Sequence, residues 1–178
     1  TTDDCTHLTA ALTKFVSDRI LPSDKVDDNF NSFLEVHQHE RTNLYEFTKF
    51  YEERDVIFYE LSHKYHSTIK YGYSTFVKVY EETSNFKKSI IQTYVTLLAE
   101  KKDTHVAKRF GNEVATKINK NAKSIIKQGG IFTIQGKQKI NELDSYLRTS
   151  HSRVINPGST ADLTATTIFL ALLQGYRP

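Results

Sequence analysis

The stretch NPGSTADLTATTIFLALLQG, residues 156–175, joins a Pro-Gly turn and a Ser-Thr pair to one carboxylate, Asp162, and then to a run with no further charge. From Leu163 through Gln174 there is no Lys, Arg, Asp or Glu. A helix that is apolar or weakly polar on every face is expected to be surrounded by protein. The stretch therefore predicts a bundle closed around its own last helix, with the start of that helix also inside the bundle.

The rest of the chain carries the same periodicity. Leu8, Ala11, Leu12, Phe15 and Val16 form a first stripe with Asp3 or Asp4 as its cap, and LPSDKVDD, residues 21–28, reads as a loop. From Asn43, the residues Leu44, Phe47, Tyr51, Phe58, Tyr65 and Ile69 recur at helical steps as far as Gly72, and Asp55 falls on that stripe. A carboxylate among aromatic neighbours is costly to bury unpaired, so Asp55 is expected to hold an ion or to be matched by a salt bridge or a cap. Further helices are expected around Phe76–Tyr80, from Asn85 to Leu98, and from Asp103 through Ile125 to the Gly129-Gly130 stop. IFTIQGKQ, residues 131–138, reads as a short extended piece, followed by a short helix marked by Ile140, Leu143 and Leu147. No segment sustains period-two alternation, so the fold class is all-α: a single multi-helix bundle of six to eight helices over residues 1–178, with a largely uncharged, buried C-terminal helix.

Composition narrows the function classes. Of 178 residues, 38% are hydrophobic and 25% charged, which is the globular range. The lone Cys5 rules out an internal disulfide and supplies no metal-binding spacing, which points to a reducing cytoplasm. No apolar run reaches membrane-spanning length, and no signal peptide opens the chain. The sequence contains no methionine, which is expected of a piece of a longer gene product. Charge is uneven: residues 100–153 hold 12 basic and 5 acidic side chains, a patch that attracts nucleotides, coenzymes or nucleic acid, or serves only as a solvated helix face.

Two motifs carry candidate chemistry. At the last helix, Ser159 and Asp162 have capping-box spacing, which alone would account for both. The alternative is a phosphate site, in which the amides of Gly158, Ser159, Thr160 and Ala161 present the positive end of the helix to an anion. Asp162 would repel that anion unless a divalent ion lies between them, so it predicts Mg2+ held by one carboxylate and phosphate oxygens. In DTHVAKRFG, residues 103–111, Asp103 and Thr104 either cap a helix or supply an ion ligand, and Lys108 or Arg109 either faces solvent or clamps phosphate. His37, His39, His63 and His66 lack a metal-ligand pattern, and GxSxG, Walker A and GxGxxG motifs are missing.

Taken in order, DTHVAKRFG and NPGSTADLTATTIFLALL resemble the C-terminal part of the triphosphoribosyl-dephospho-CoA synthase family, whose members read DTxxxxRxG and SPGGSADLLAxTxFL at the corresponding places. ERDVIFYEL and TTDDCTHLTAAL also fit its upstream pattern, and NPG with the trailing LLQGYRP is similar to an archaeal-type branch. The resemblance implies an all-helical enzyme that joins the ribose triphosphate of ATP to a dephospho-CoA-like acceptor with loss of adenine. It also implies that Asp103, Thr104, Arg109, Gly158, Ser159, Asp162, Asp55 and Glu60 contact nucleotide or metal. Within that reading Asp55 and Asp162 are the catalytic candidates and Asp103, Asp162 and Glu60 the Mg2+ candidates, while Thr104, Lys108, Arg109, Gly158, Ser159 and Thr160 are the phosphate candidates. The family's N-terminal motifs have no counterpart here, so a missing N-terminal segment or a partner chain is expected to complete the site, and a homo-oligomer is compatible with it. The competing expectation is a non-catalytic helical module that binds nucleic acid through residues 100–153.

Overall fold

The computed structural model describes residues 44–178. Expectations for the stripe Leu8–Val16, the cap Asp3 or Asp4, Cys5, the loop 21–28, His37 and His39 lie outside the described residues. The chain divides into two compact units, residues 1–51 and 52–178. In the first, α1 (Leu44–Tyr51) is described; Thr48 is buried there and its hydroxyl donates to the Tyr45 carbonyl at 2.9 Å.

The second unit contains seven α-helices and, among its described residues, no strand: α2 (Val56–Ser62), α3 (Ser74–Thr83), α4 (Phe86–Glu100), α5 (Thr104–Phe110), α6 (Asn112–Lys127), α7 (Ile134–Thr149) and α8 (Gly158–Leu173). A π-helical segment, Thr68–Tyr73, runs directly into α3, and a 3-10 turn, Gly130–Phe132, precedes α7. Helix α4 is the hub and packs against α3, α6, α8 and the π segment. Its Val95, Leu98 and Ala99 meet Val106 of α5, Ala115, Ile118, Ala122 and Ile125 of α6, Leu143 of α7 and Ile155 in one buried cluster. A smaller cluster joins Val56 of α2, Leu97 of α4 and Leu163 of α8. That second cluster draws the start of α8 towards the start of α2.

Local chemistry explains where the single long elements expected from periodicity are cut. The element from Asn43 to Gly72 is interrupted at Asp55, which is not on a helix face but at the N-cap of α2, where its Oδ1 accepts from Ile57 N at 2.9 Å. It is cut again at Lys64 and Tyr65, which adopt left-handed backbone at φ 54° and 58°. Two such residues in succession are strained, and a buried acid offsets the strain. The Glu60 side chain, 2% exposed, accepts from Ser67 N at 3.1 Å, Thr68 N at 2.8 Å and Thr68 Oγ1 at 2.9 Å, holding the first turn of the π segment. The helix expected from Asp103 to Ile125 is split at Gly111, whose φ of 90° and ψ of 158° only glycine adopts freely. IFTIQGKQ is not extended: it forms the 3-10 turn and the first turn of α7, where Thr133 caps Gly136 N at 2.9 Å.

Helix α8 also differs from expectation. Thr160, Leu163, Thr164, Thr167 and Ala171 are buried, a one-sided stripe, whereas Phe169 is 59% and Leu173 64% exposed. Lack of charge did not entail burial on every side, because packing is concentrated on the face towards α4 and the π segment, with smaller contacts to α2, α3 and α5. Contact there is close at Gly72, where a Cβ would run into Thr167 Oγ1. That hydroxyl is fully buried and bonded to Leu163 O at 3.0 Å, so it has little room to turn away. Gly72→Ala should therefore cost about 1–3 kcal/mol through overpacking, read as a lower urea midpoint with an unchanged slope.

Candidate active site

The starts of α2, α5 and α8 meet at one end of the second unit, and side chains of the two sequence motifs lock them together. Asp103, 2% exposed, is the N-cap of α5: its Oδ1 accepts from Val106 N at 2.9 Å. Its Oδ2 accepts from Thr160 N and Thr160 Oγ1, each at 2.8 Å, so one carboxylate holds the first turns of two helices. Beside it, Thr104 Oγ1 lies 3.1 Å from Ser159 Oγ and accepts from Val56 N at 3.3 Å, while His105 N donates to Ser159 Oγ at 3.3 Å. Burial, and after it the charge of Asp103, raises the Tyr94 hydroxyl well above the usual tyrosine range. Tyr94 therefore stays protonated beside the acid.

The capping-box alternative for Ser159 and Asp162 does not hold. Helix α8 begins at Gly158 after Pro157, without a side-chain cap, and Ser159 turns its hydroxyl to α5 instead. The four amides expected to face an anion are mostly engaged by the protein. Gly158 N donates to Asn156 O at 2.8 Å, Ala161 N to Pro157 O at 3.0 Å, and Thr160 N to Asp103. Among the described residues only the Ser159 amide of this set has no protein acceptor. An anion here would depend on side-chain cations more than on the helix start.

Against these helix starts lies a cavity of about 330 Å3, bordered by Asp55, His105, Lys108, Gly158, Ser159 and Asp162. Lys108 Nζ is 2.5 Å from Asp55 Oδ2 in an ion pair whose lysine is 58% and whose aspartate is 18% exposed. Asp162 is exposed, and its carboxylate has no partner among the described residues; only its backbone oxygen is used, by Thr166 Oγ1 at 3.0 Å. The structure thus brings together Asp55, Lys108, Ser159, Gly158 and Asp162. Thr104 joins them through Ser159 and borders a second cavity of about 710 Å3, which Lys108 also borders. Asp103 and Thr160 lie behind the first cavity as its frame. Arg109 is exposed and borders neither cavity, and Glu60 is spent on the π segment.

His105 was not anticipated among the site residues, although it borders the cavity with its ring close to Gly158, where a Cβ would meet His105 Cγ at 3.2 Å. Its signal was its place inside DTH, one residue after the threonine that bonds Ser159. The described residues contain no cluster of three or more His, Cys, Asp or Glu side chains able to hold a metal by themselves. With Asp103 saturated by three donors and Asp55 paired, Asp162 alone is open. That donor set fits Mg2+ carried in by a polyphosphate, which takes one or two carboxylates and otherwise phosphate oxygens and waters. No helix of the described residues is long and apolar enough to cross a membrane.

Comparison with known proteins agrees with the motifs. The family model described as ATP:dephospho-CoA triphosphoribosyl transferase matches residues 1–178. The 2-(5''-triphosphoribosyl)-3'-dephosphocoenzyme-A synthase of Klebsiella pneumoniae is 30% identical over 96 residues, 54% of this chain and 31% of that protein. A Malonomonas rubra candidate for the same synthase is 31% identical over 94 residues, 51% of this chain and 28% of its own length. The crystal structure of a candidate triphosphoribosyl-dephospho-CoA synthase from Archaeoglobus fulgidus superposes with a TM-score of 0.63 at 28% identity, covering 85% of this chain and 61% of that one. The aligned stretch thus spans less than a third of the length of these two curated relatives. None of these relatives is described as binding nucleic acid. With two motifs in order, an all-helical bundle and a family match over all 178 residues, the chain belongs to the ATP:dephospho-CoA triphosphoribosyl transferase family.

Proposed function

We propose that the protein transfers the triphosphoribosyl group of ATP to a hydroxyl of a dephospho-CoA-like acceptor, releasing adenine. The observation that carries this reading is the open carboxylate of Asp162 on a cavity that the Asp55–Lys108 pair also borders. Mg2+ bound with the nucleotide would neutralise triphosphate charge, with Asp162 as its protein ligand and no contribution from Asp103 or Glu60. Lys108 is the phosphate clamp in preference to Arg109, because it is the cation that borders the cavity.

In the transfer, a bond forms between the acceptor oxygen and the ribose anomeric carbon while the bond from that carbon to adenine breaks. Positive charge develops on the sugar, and the Asp55 carboxylate is placed to stabilise it. When Lys108 turns to phosphate, Asp55 loses its ion pair and becomes free to accept the acceptor's proton, which leaves finally on adenine. His105, in the same cavity, is the second group within reach of that proton. The test is incubation of the full-length protein with ATP, Mg2+ and dephospho-CoA, with free adenine measured by chromatography. Adenine should appear only when all three are present; none in the complete mixture overturns the transferase reading.

A further inference from the structure

The larger cavity, which shares Lys108 with the smaller one, is separate from the space that holds Asp162, and its chemistry is different. Arg54, Lys101, Lys102 and Lys108 face it, against the carboxylates Glu52 and Glu53. Glu52 is already engaged, accepting from Ser62 Oγ at 2.7 Å and lying 3.6 Å from His63 Nδ1. Lys102 is exposed and has no ion pair among the described residues. Lys101 Nζ is held 3.6 Å above the centre of the Tyr59 ring, and Tyr59 is itself stacked on His63 at 4.0 Å. A cation resting on an aromatic wall is held in place rather than free in water.

The backbone behind these lysines is also fixed. Lys101 closes α4 by donating its amide to Leu97 O at 3.1 Å, and two residues on Asp103 ties the chain to α5 and α8. Cations at the end of α4 suit its dipole, which would account for one lysine but not for a concave surface with cations from three segments. A volume of about 710 Å3 is that of a small-molecule site.

We propose that this larger cavity binds the diphosphate of the acceptor nucleotide without a metal ion, through Lys101 and Lys102, while the smaller cavity takes the metal-bound triphosphate. The assignment rests on the transferase reading and on a contrast in charge. A metal–triphosphate needs an open carboxylate, and the smaller cavity sets Asp162 and Asp55 against the single cation Lys108; a bare diphosphate needs an excess of cations, and the larger cavity sets Arg54, Lys101, Lys102 and Lys108 against Glu52, which is engaged, and the exposed Glu53. Lys108 borders both cavities, so the two ligands would meet at it.

Calorimetric titration of the full-length protein with dephospho-CoA in chelator, and separately with ATP and Mg2+, tests the assignment. Lys101→Gln with Lys102→Gln should weaken metal-free dephospho-CoA binding by about tenfold or more, while ATP–Mg2+ binding changes less than about twofold. Asp162→Asn should produce the reverse pattern. If the double variant does not fold, Lys102→Gln alone, at an exposed side chain, carries the same expectation with a smaller effect. The proposal is overturned if the lysine changes leave dephospho-CoA binding intact, if they weaken ATP–Mg2+ equally, or if dephospho-CoA does not bind the unaltered protein. Adenine release separates the two claims. The expected binding pattern without adenine would leave this cavity assignment standing and sink the reaction, whereas adenine release with a dephospho-CoA KM indifferent to both lysines would do the opposite.

Discussion

Asp162→Ala should lower adenine release on the order of 100-fold while leaving the thermal midpoint within a degree or two of the unaltered protein. The two halves of that expectation have separate causes. The side chain is exposed and makes no hydrogen bond or ion pair among the described residues, so its removal takes nothing from the folded state. Its place on the cavity rim is where the charge of a triphosphate and its metal would concentrate, so removal should act on nucleotide binding and turnover. The variant should also need more Mg2+ to reach half its maximal rate. An equal loss of stability and activity would show that Asp162 supports the helix start instead, and undiminished activity would remove it from the site.

Asp103→Ala should act the other way round, reducing unfolding free energy by about 3–5 kcal/mol in urea denaturation. One buried carboxylate satisfies Val106 N, Thr160 N and Thr160 Oγ1. Its loss strands three buried donors and unties α5 from α8, so activity should fall as a consequence of the fold. Asp103→Asn, which keeps one acceptor oxygen, should recover part of the stability. A variant that loses activity with less than about 1 kcal/mol of destabilisation would instead identify Asp103 as a direct ligand of nucleotide or metal. The two aspartates belong to the same pair of motifs, and these measurements assign one to chemistry and the other to architecture.

The difference between them was not available from spacing. DTH and STAD both place an acid near a helix start, and both were candidates for the same ion. Only the packing of α8 against α4 and the π segment turns Thr160 towards Asp103 and leaves Asp162 outside. The same holds for Glu60 and Asp55. Both fall on or near an aromatic stripe, yet Glu60 is consumed in holding Thr68 after two left-handed residues, and Asp55 caps α2 and meets Lys108 53 positions away. Lys108 and Arg109 are adjacent in sequence, and the direction each faces is set by how α5 lies against its neighbours.

Helical periodicity by itself determined the all-α class, and residue spacing the two motifs with their order, because the spacing of apolar residues and the identity of capping groups are local properties of the chain. Where the helices break, which acids are spent on structure and which one is left open were decided only by the tertiary fold. A carboxylate's role depends on the donors that reach it, and here those come from helices far apart in sequence: Thr160 is 57 residues from Asp103. Burial behaves likewise. A helix without charge is permitted inside a bundle, but which of its faces is covered depends on the neighbours that the rest of the chain supplies.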